Sequence, residues 1–260
     1  MRVLIIVTTI LIAVSLVGCS VLPLESNLEK PVAMTKMSDS GGTDFVVANQ
    51  ALWLFWGAAP IAETHNEKGA SGKLIDGNNR FIAQKSNHPN QTIDRRKEIA
   101  GGQKPFAIIL SCSDSRVPPE IIFDQGLGDL FVIRVAGNVL DETVLASAEY
   151  AVEHLGIPFL MVLGHSKCGA VSAAVSGHEY SGHIRELVKI IAPAVEKAQK
   201  MEGDLTENAI KTNIEMVSAK LLEESPIIHE FVYSGKLEII GAFYDLESGK
   251  VDIQKSTKME

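Results

Sequence analysis

The segment FAIILSCSDSR, residues 106–116, decides the fold of this chain. It opens with an unbroken apolar run over residues 106–110, which is typical of a strand buried on both faces of a parallel sheet. Three reactive side chains follow at alternate positions: Cys112, Asp114 and Arg116. Alternate residues of an extended chain point to the same side. We therefore expect a thiol, a carboxylate and a guanidinium to meet just beyond a buried strand, where open α/β sheets bind their ligands.

A second buried-strand pattern, residues 159–163, leads into another set of reactive side chains. His165 and Cys168 follow it, and their spacing lets an imidazole and a thiol reach one ion from a single turn. Zinc favours thiolate and imidazole ligands. If the two strands are parallel neighbours, Cys112 joins this pair. Three protein ligands with an open fourth position are typical of a catalytic zinc site.

Other interpretations fit the same residues. Cys112 and Cys168 could form a buried disulfide or be two core thiols, and His165 could be a structural histidine. Asp114 and Arg116 could form only a local ion pair, which contributes little to stability if it is exposed. The joint occurrence of the two patterns, each behind a buried strand, favours the metal site.

Length and charge limit the classes of protein to which the chain can belong. Its 260 residues, of which 46% are hydrophobic, suffice for one domain of about 200 residues and an N-terminal extension. The net charge of −8 is not offset by any basic cluster. We therefore expect neither a nucleic acid nor an anionic membrane surface as a partner.

Short apolar runs alternate with amphipathic segments along the rest of the chain. Residues 130–135 indicate a further strand, and residues 236–244 and 250–254 indicate a C-terminal edge hairpin. Helical patterns cover residues 71–85, 90–100, 142–155, 169–175, 183–201, 206–223 and 226–233. This alternation predicts an α/β fold: a mostly parallel central sheet flanked by helices, with an N-terminal helical arm and a C-terminal edge hairpin.

The predicted helix at residues 142–155 has a clear start. Asp141 is a good N-cap, because its carboxylate can accept a hydrogen bond from a free backbone N–H of the first turn. We expect Ala146, Tyr150 and Val152 among the buried residues of this helix.

Two segments carry a resemblance to a known family. CSDSRVPPE, residues 112–120, and GHSKCGAV, residues 164–171, resemble the motifs of β-class carbonic anhydrases. The resemblance covers about residues 72–255. It implies reversible hydration of carbon dioxide to bicarbonate and a proton by a zinc-bound hydroxide. It also implies a homodimer or higher homo-oligomer with the pocket at the subunit boundary.

The resemblance assigns roles to the reactive residues. It implies that Cys112, His165 and Cys168 bind one zinc ion per subunit, and that Asp114 and Arg116 form a catalytic dyad. Paired with Arg116, the Asp114 carboxylate stays ionised. Unpaired, Asp114 could instead become a fourth zinc ligand, as in some members of the family.

The same resemblance suggests residues that bind substrate. Gln103 stands nine residues before the first cysteine, the spacing at which a glutamine hydrogen-bonds the substrate in the plant-type branch. Phe131 and Tyr150 match aromatic positions that line the pocket, although core packing alone would explain both. Gly169 begins a helix whose N-terminus could approach an anion.

The N-terminal 70 residues divide into three predicted segments. In residues 1–18, Arg2 precedes an apolar run over residues 3–17 that is shorter than the ~20 residues of a membrane span and is typical of a signal peptide. The run ends in LVGC, which resembles the bacterial lipobox and implies a lipid on Cys19. We expect an exported, periplasmic protein that is anchored to a bacterial membrane only through this lipid. An uncleaved anchor or an ordinary signal peptide are the alternatives.

Two more segments precede the catalytic domain. Residues 19–44 are predicted to be a flexible tether. Residues 45–70, which contain both tryptophans, are predicted to be an arm that packs on the domain or on a second subunit, as N-terminal helices of the family do. Contact with a membrane surface or another partner is the alternative. Residues 71–260 form the predicted zinc-dependent domain.

Two other functions remain open at this point. The same zinc site could hydrolyse carbonyl sulfide or carbon disulfide, which are also cumulenes. Alternatively, the chain could be a non-catalytic zinc-binding lipoprotein, although such a protein would not need Asp114, Arg116 and Gln103.

Overall fold

The computed structural model describes residues 69–257, so the predicted signal peptide, the tether and nearly all of the arm lie outside the described residues. The elements in chain order are α1 (Gly69–Ile82), α2 (Ile93–Ile99), β1 (Ala107–Cys112), α3 (Pro119–Ile122), β2 (Leu130–Val135), a 3-10 turn (Ala136–Asn138), α4 (Glu142–Glu153), β3 (Phe159–His165), α5 (Gly169–Ser176), α6 (Gly182–Ala198), α7 (Leu205–Glu224), α8 (Pro226–Tyr233), β4 (Glu238–Tyr244) and β5 (Val251–Thr257). Among these residues, no helix combines the length and the apolar character that a membrane span requires.

The five strands form one sheet in the order β2-β1-β3-β4-β5. Strand β1 pairs in parallel with β2 and β3, and β3 pairs in parallel with β4. Strand β5 runs antiparallel to β4 at the edge. The predicted fold, a mostly parallel sheet with a C-terminal edge hairpin, is therefore confirmed. Because β2 and β3 lie on opposite sides of β1, the carboxyl end of β1 is a topological switch point, where α/β sheets form their binding crevices.

Hydrophobic cores cover both faces of the sheet. Alternate residues of β1 face opposite ways, so Ile108 and Leu110 belong to one core and Ala107 and Ile109 to the other. Helices α4 to α8 contribute to the first core, and α1 and α3 contribute to the second. Strands β1 and β3 are buried along their whole length. Burial on both faces explains their unbroken apolar sequences.

The structure corrects two predictions on the chain. Strand β1 continues to Cys112, two residues beyond the predicted run. In α4, Val152 is buried as predicted, but Ala146 is exposed and the Tyr150 side chain is 41% exposed. The buried stripe of α4 instead consists of Val144, Ala148, Ala151 and Val152. These positions follow the i, i+4, i+7, i+8 spacing of one helix face, which turns Ala146 and Tyr150 away from the core.

Candidate active site

The predicted metal ligands come together at the carboxyl end of the sheet. Cys112 is the last residue of β1, His165 is the last residue of β3, and Cys168 caps the N-terminus of α5. All three are buried, and their ligand atoms lie within 4.8 Å of one another. Because β1 and β3 are parallel neighbours, both strands deliver their last residue to the same edge. The predicted convergence is confirmed.

The two cysteines are free thiols. Their sulfur atoms are 4.0 Å apart, far beyond the roughly 2.05 Å of a disulfide. Sharing of a proton with Cys168 lowers the pKa of Cys112 to about 4, against the opposing effect of burial. The same sharing, together with burial, raises the pKa of Cys168. The pair is thus prepared to carry negative charge, which a cation between the sulfurs would neutralise.

His165 presents a nitrogen without a protein partner to the same space. Its Nδ1 lies 2.9 Å from the carbonyl oxygen of Ser166, and its Nε2 is buried without a hydrogen bond within residues 69–257. A buried polar atom without a partner is costly. An Nδ1–H bond to a carbonyl leaves the Nε2 lone pair free, as in histidines that bind metals. Two thiols and this nitrogen are a donor set that fits zinc.

The predicted dyad forms beside the cluster. Arg116 donates to both Asp114 oxygens, Nε to Oδ1 at 2.9 Å and Nη2 to Oδ2 at 2.7 Å, and its backbone N–H also donates to Oδ1. This guanidinium holds the pKa of the Asp114 carboxyl well below its usual range. Oδ2 is 3.9 Å from Nε2 of His165. The carboxylate thus faces the cluster while it is bound to Arg116.

In this structure Asp114 is paired with Arg116, and its alternative role as a fourth zinc ligand stays a prediction. Among residues 69–257, the cluster of ligand atoms comprises Cys112, His165 and Cys168. The chain leaves the strand after Cys112 and turns, with the Val117 N–H bonded to the carbonyl of Asp114. This turn brings Arg116 back onto the carboxylate, so each oxygen accepts at least one hydrogen bond from Arg116.

Contacts that the sequence analysis missed support the first ligand. Arg134 on β2 donates to the carbonyl of Cys112 at 3.0 Å and to that of Asp114 at 2.6 Å. The backbone N–H of Gly137 donates to the Cys112 sulfur at 3.2 Å. Arg134 is a charged residue within an otherwise apolar strand pattern, and this feature could have indicated that it has a specific partner. No pattern in the neighbouring sequence indicated that the backbone N–H of Gly137 would contact the Cys112 sulfur.

The second ligand loop is supported by the turn between β4 and β5. The Ser166 N–H donates to the carbonyl of Tyr244, and the Leu246 N–H donates to the Ser166 hydroxyl, both at 2.9 Å. The next residue, Lys167, pairs with Glu247. Its carbonyl accepts from Arg116 at 3.4 Å, which joins the two ligand loops.

The predicted substrate residues lie apart from this cluster, except for Gly169. Gly169 is exposed and directly follows Cys168 at the start of α5. Gln103 is exposed in the segment before β1. Phe131 lies next to Ile108 in the sheet, four residues before the end of β1, which is about 13 Å along a strand. Tyr150 stands beside Phe131, with ring centroids 6.3 Å apart. Within residues 69–257, no hydrogen bond links Gln103, Phe131 or Tyr150 to the cluster.

Known proteins share this architecture. The family model described as carbonic anhydrase matches residues 107–251. Carbonic anhydrase 2 of Mycobacterium tuberculosis is 42% identical over 189 residues, which cover 71% of this chain and 91% of that protein. The carbonic anhydrase of Mycolicibacterium smegmatis is 39% identical over 193 residues, which cover 73% of this chain and 94% of that protein.

A solved structure agrees at the level of the fold. One of the two tetrameric β-carbonic anhydrases from the ascomycete Sordaria macrospora superposes with a TM-score of 0.59 at 28% identity, over 70% of this chain and 96% of that one. The sheet, the cluster and these similarities lead to one conclusion: the chain belongs to the β-class carbonic anhydrases, a family of zinc enzymes.

Proposed function

We propose that this protein catalyses the reversible hydration of carbon dioxide to bicarbonate and a proton. One observation carries the proposal: two thiols and an unpartnered imidazole nitrogen converge within 4.8 Å, and an ionised carboxylate stands 3.9 Å from that nitrogen. A site that only binds metal has no use for a carboxylate held in this orientation by an arginine.

Cys112, His165 and Cys168 would hold the zinc. The chemistry that zinc supplies when bound is activation of water, whose pKa falls from 15.7 to about 7. The three residues leave room for one further ligand in a tetrahedral site. Their burial keeps bulk water away from the sulfur atoms and strengthens local electrostatic interactions.

Asp114 orients the attacking water. An ionised carboxylate only accepts hydrogen bonds, so Asp114 binds a hydrogen of the water and leaves a lone pair free to face carbon dioxide. Arg116 fixes this state, because its two hydrogen bonds stabilise the charged carboxylate. The water oxygen bonds to the carbon as one C=O π bond opens, one O–H bond of the water breaks, bicarbonate is the product, and the released proton passes to buffer.

Stopped-flow measurement of carbon dioxide hydration by the zinc-loaded protein, at about pH 7 and about pH 8.5, tests this proposal. We expect hydration that depends on zinc, with protein stripped by a chelator as the control. If the zinc-bound protein is inactive on carbon dioxide but hydrolyses carbonyl sulfide or carbon disulfide, that hydrolysis is its function instead. Zinc-bound protein inactive on all three would be a binding protein.

The pocket is proposed to be completed by a second copy of the chain. Phe131 and Tyr150 lie toward the start of β2, about 13 Å along the sheet from the chain's own cluster. Tyr150 is nevertheless exposed, as an aromatic residue at a subunit boundary would be in one isolated chain. We infer a homo-oligomer in which Gln103, Phe131 and Tyr150 of one chain face the metal cluster of its partner. In this arrangement these residues would line the pocket that the resemblance implies, although they lie away from the cluster of their own chain.

Mixing two inactive variants tests this arrangement. Asp114→Asn removes one side of the pocket and Tyr150→Ala the other. If the sides come from different chains, a mixed dimer has one intact pocket, and random mixing recovers about a quarter of wild-type activity. If both sides come from one chain, mixing recovers nothing. A different affinity tag on each variant, with recovery of both variants on either tag, confirms that the subunits have exchanged.

We also propose that the protein is exported and lipid-anchored through Cys19. The apolar run over residues 3–17 and the LVGC sequence support this proposal. Expression in a bacterial host with a labelled fatty acid tests it. The wild type should carry label in the membrane fraction and Cys19→Ala should not. A soluble periplasmic wild type without label would indicate an ordinary signal peptide.

A further inference from the structure

Two buried hydrogen bonds connect the side chain of Asn213 to the metal site. Asn213 lies on α7, and its Nδ2 donates to the carbonyl of Gly137 at 2.9 Å. The N–H of Gly137 in turn donates to the Cys112 sulfur at 3.2 Å. The first contact joins residues 76 positions apart in the chain, so it exists only because the fold packs α7 against the turn after β2.

The backbone of Gly137 is a sensitive link between these two bonds. Its N–H and its carbonyl belong to neighbouring peptide groups that are joined at the Cα. Gly137 adopts the left-handed conformation, with φ +67° and ψ 16°. A hydrogen bond that holds the carbonyl restrains the peptide group after Gly137, and through the φ and ψ angles of Gly137 it also restrains the preceding peptide group, whose N–H points to the sulfur.

The space and the backbone conformation at this turn favour a glycine. A Cβ on Gly137 would lie 2.9 Å from Cδ1 of Ile191 and 3.1 Å from Cβ of Ala170. Left-handed φ is also unfavourable for residues other than glycine. Gly137 thus has no side chain of its own that could hold it, and the Asn213 amide holds its carbonyl from α7.

An asparagine is an expensive residue at this position of α7. Asn213 is only 4% exposed, next to Ile214 and near Ile210 and Val217, which are all buried in the first core. An amide buried among aliphatic side chains costs free energy unless it is hydrogen-bonded. An apolar residue would suit the packing of α7 better. The asparagine therefore indicates a role for its amide, which holds the Gly137 carbonyl.

We propose that Asn213 is a positioning residue of the metal centre, which keeps the Gly137 N–H on the Cys112 sulfur and thereby strengthens zinc binding. This inference rests on the proposed zinc site and not on the reaction that the site catalyses. The hydrogen bond withdraws charge from the sulfur. Without it, the sulfur becomes a stronger electron donor but is no longer held in position, and we expect the loss of position to outweigh the gain in donor strength.

The test compares Asn213→Leu with Thr212→Val in the full chain. Leucine is branched at the same carbon as asparagine, with a larger volume, but has no donor. Thr212 is the matched control, because it is also buried on α7 and its hydroxyl bonds to Met201, away from the metal site. Zinc affinity is measured by competition with a chelator. The cobalt-substituted protein reports the sulfur–metal bond through its near-ultraviolet charge-transfer band.

We expect Asn213→Leu to bind zinc about tenfold more weakly and to shift the cobalt band to longer wavelength, because an unbonded sulfur gives up electrons more easily. Thr212→Val should change neither. Unchanged affinity and spectrum in Asn213→Leu would overturn the proposal, as would equal changes in both variants. If Asn213→Leu does not fold, Asn213→Ser serves instead, since its hydroxyl is too short to reach Gly137. Neither readout involves carbon dioxide, so failure here is distinct from failure of the proposed reaction.

Discussion

At the scale of single residues, the Asp114 carboxylate has its orientation fixed before substrate arrives. Its two oxygens accept three hydrogen bonds from Arg116, and the side chain is only 16% exposed while it faces the cluster. Groups that need no reorganisation during the reaction contribute most to catalysis. A substitution of Asp114 therefore leaves Cys112, His165 and Cys168 unchanged.

Replacement of Asp114 by asparagine should separate catalysis from metal binding. The amide presents N–H donors as well as an acceptor, so it no longer imposes one orientation on water, and it loses the charge that holds Arg116. We expect carbon dioxide hydration to fall at least about 100-fold with zinc content unchanged. Stopped-flow assays and metal analysis measure the two effects.

Asp94→Asn is the control for this variant, because Asp94 is a 95% exposed carboxylate on α2. It should keep full activity. Wild-type hydration by zinc-loaded Asp114→Asn would remove Asp114 from the mechanism, whereas loss of zinc would indicate a role in the metal site itself.

At the scale of elements, close packing of α7 on β3 holds the second ligand in place. Gly164 precedes His165, and a Cβ at this position would meet Cδ1 and Cγ1 of Ile214 at 2.6 and 2.7 Å. The helix can lie this close to the strand only because no side chain intervenes. The position of His165 thus depends on a packing contact of its neighbour.

Gly164→Ala should push α7 away from the sheet. We expect a loss of about 2 kcal/mol in the free energy of unfolding, which is typical of an overpacked core, together with weaker zinc binding. Denaturant unfolding measures the first effect. Gly101→Ala is the control, because nothing lies within 4 Å of its Cβ position. Equal stabilities for both variants would mean that the helix and strand adapt without cost.

A second element-level link is the buried carboxylate of Asp124, which ties the segment after α1 to the end of α3. It accepts from Arg80 at 2.6 Å and from the backbone N–H groups of Asn87 and His88 at 2.9 Å. Burial alone would raise the pKa of Asp124, but these hydrogen bonds outweigh it and lower the pKa. A lowered pKa in the folded state means that the charged form stabilises the fold.

The contribution of Asp124 should therefore disappear in acid. It is present above the unfolded carboxyl pKa of about 3.9 and is lost as the pH falls below that value. We expect Asp124→Asn to destabilise the protein by about 2 kcal/mol at pH 7, with a smaller difference from wild type at pH 3. Urea unfolding at both pH values measures the difference. A gap that stays constant or widens in acid would contradict this assignment.

At the scale of the whole molecule, a bound metal would connect parts of the chain that lie far apart in the sequence. Its ligands come from β1, β3 and the start of α5. A ligand that binds only the folded state stabilises it in proportion to the logarithm of its concentration over Kd. The zinc site is thus expected to stabilise the fold as well as to serve catalysis.

Removal of zinc should lower the Tm. At zinc concentrations about 1,000 times the Kd, binding contributes about 4 kcal/mol, which corresponds to about 10 °C for a domain of this size. Calorimetry with and without a chelator measures the shift. Cys168→Ser, which lacks one ligand, should respond much less to the chelator. An unchanged wild-type Tm would mean that apo and zinc-loaded protein are equally stable.

The amino-acid sequence determined the features that depend on neighbours in the chain. Apolar runs identify β1 and β3, and parallel pairing then brings Cys112, His165 and Cys168 to one edge. Asp141 caps α4 as predicted, because capping involves residues three apart. The Asp114–Arg116 pair also needs only two residues of separation. Local geometry sets the two strands, the cap and the ion pair, and the convergence of the ligands needs in addition only that the two strands pair.

Only the tertiary structure decided how the site is held. The bonds from Arg134 to the Cys112 carbonyl and from Asn213 to Gly137 join distant segments, and neither follows a spacing that the sequence could reveal. The outward position of Tyr150 depends on which stripe of α4 meets the core. The sequence specifies reactive groups through local pattern, whereas their supports depend on which surfaces pack together, and packing is a property of the folded chain alone.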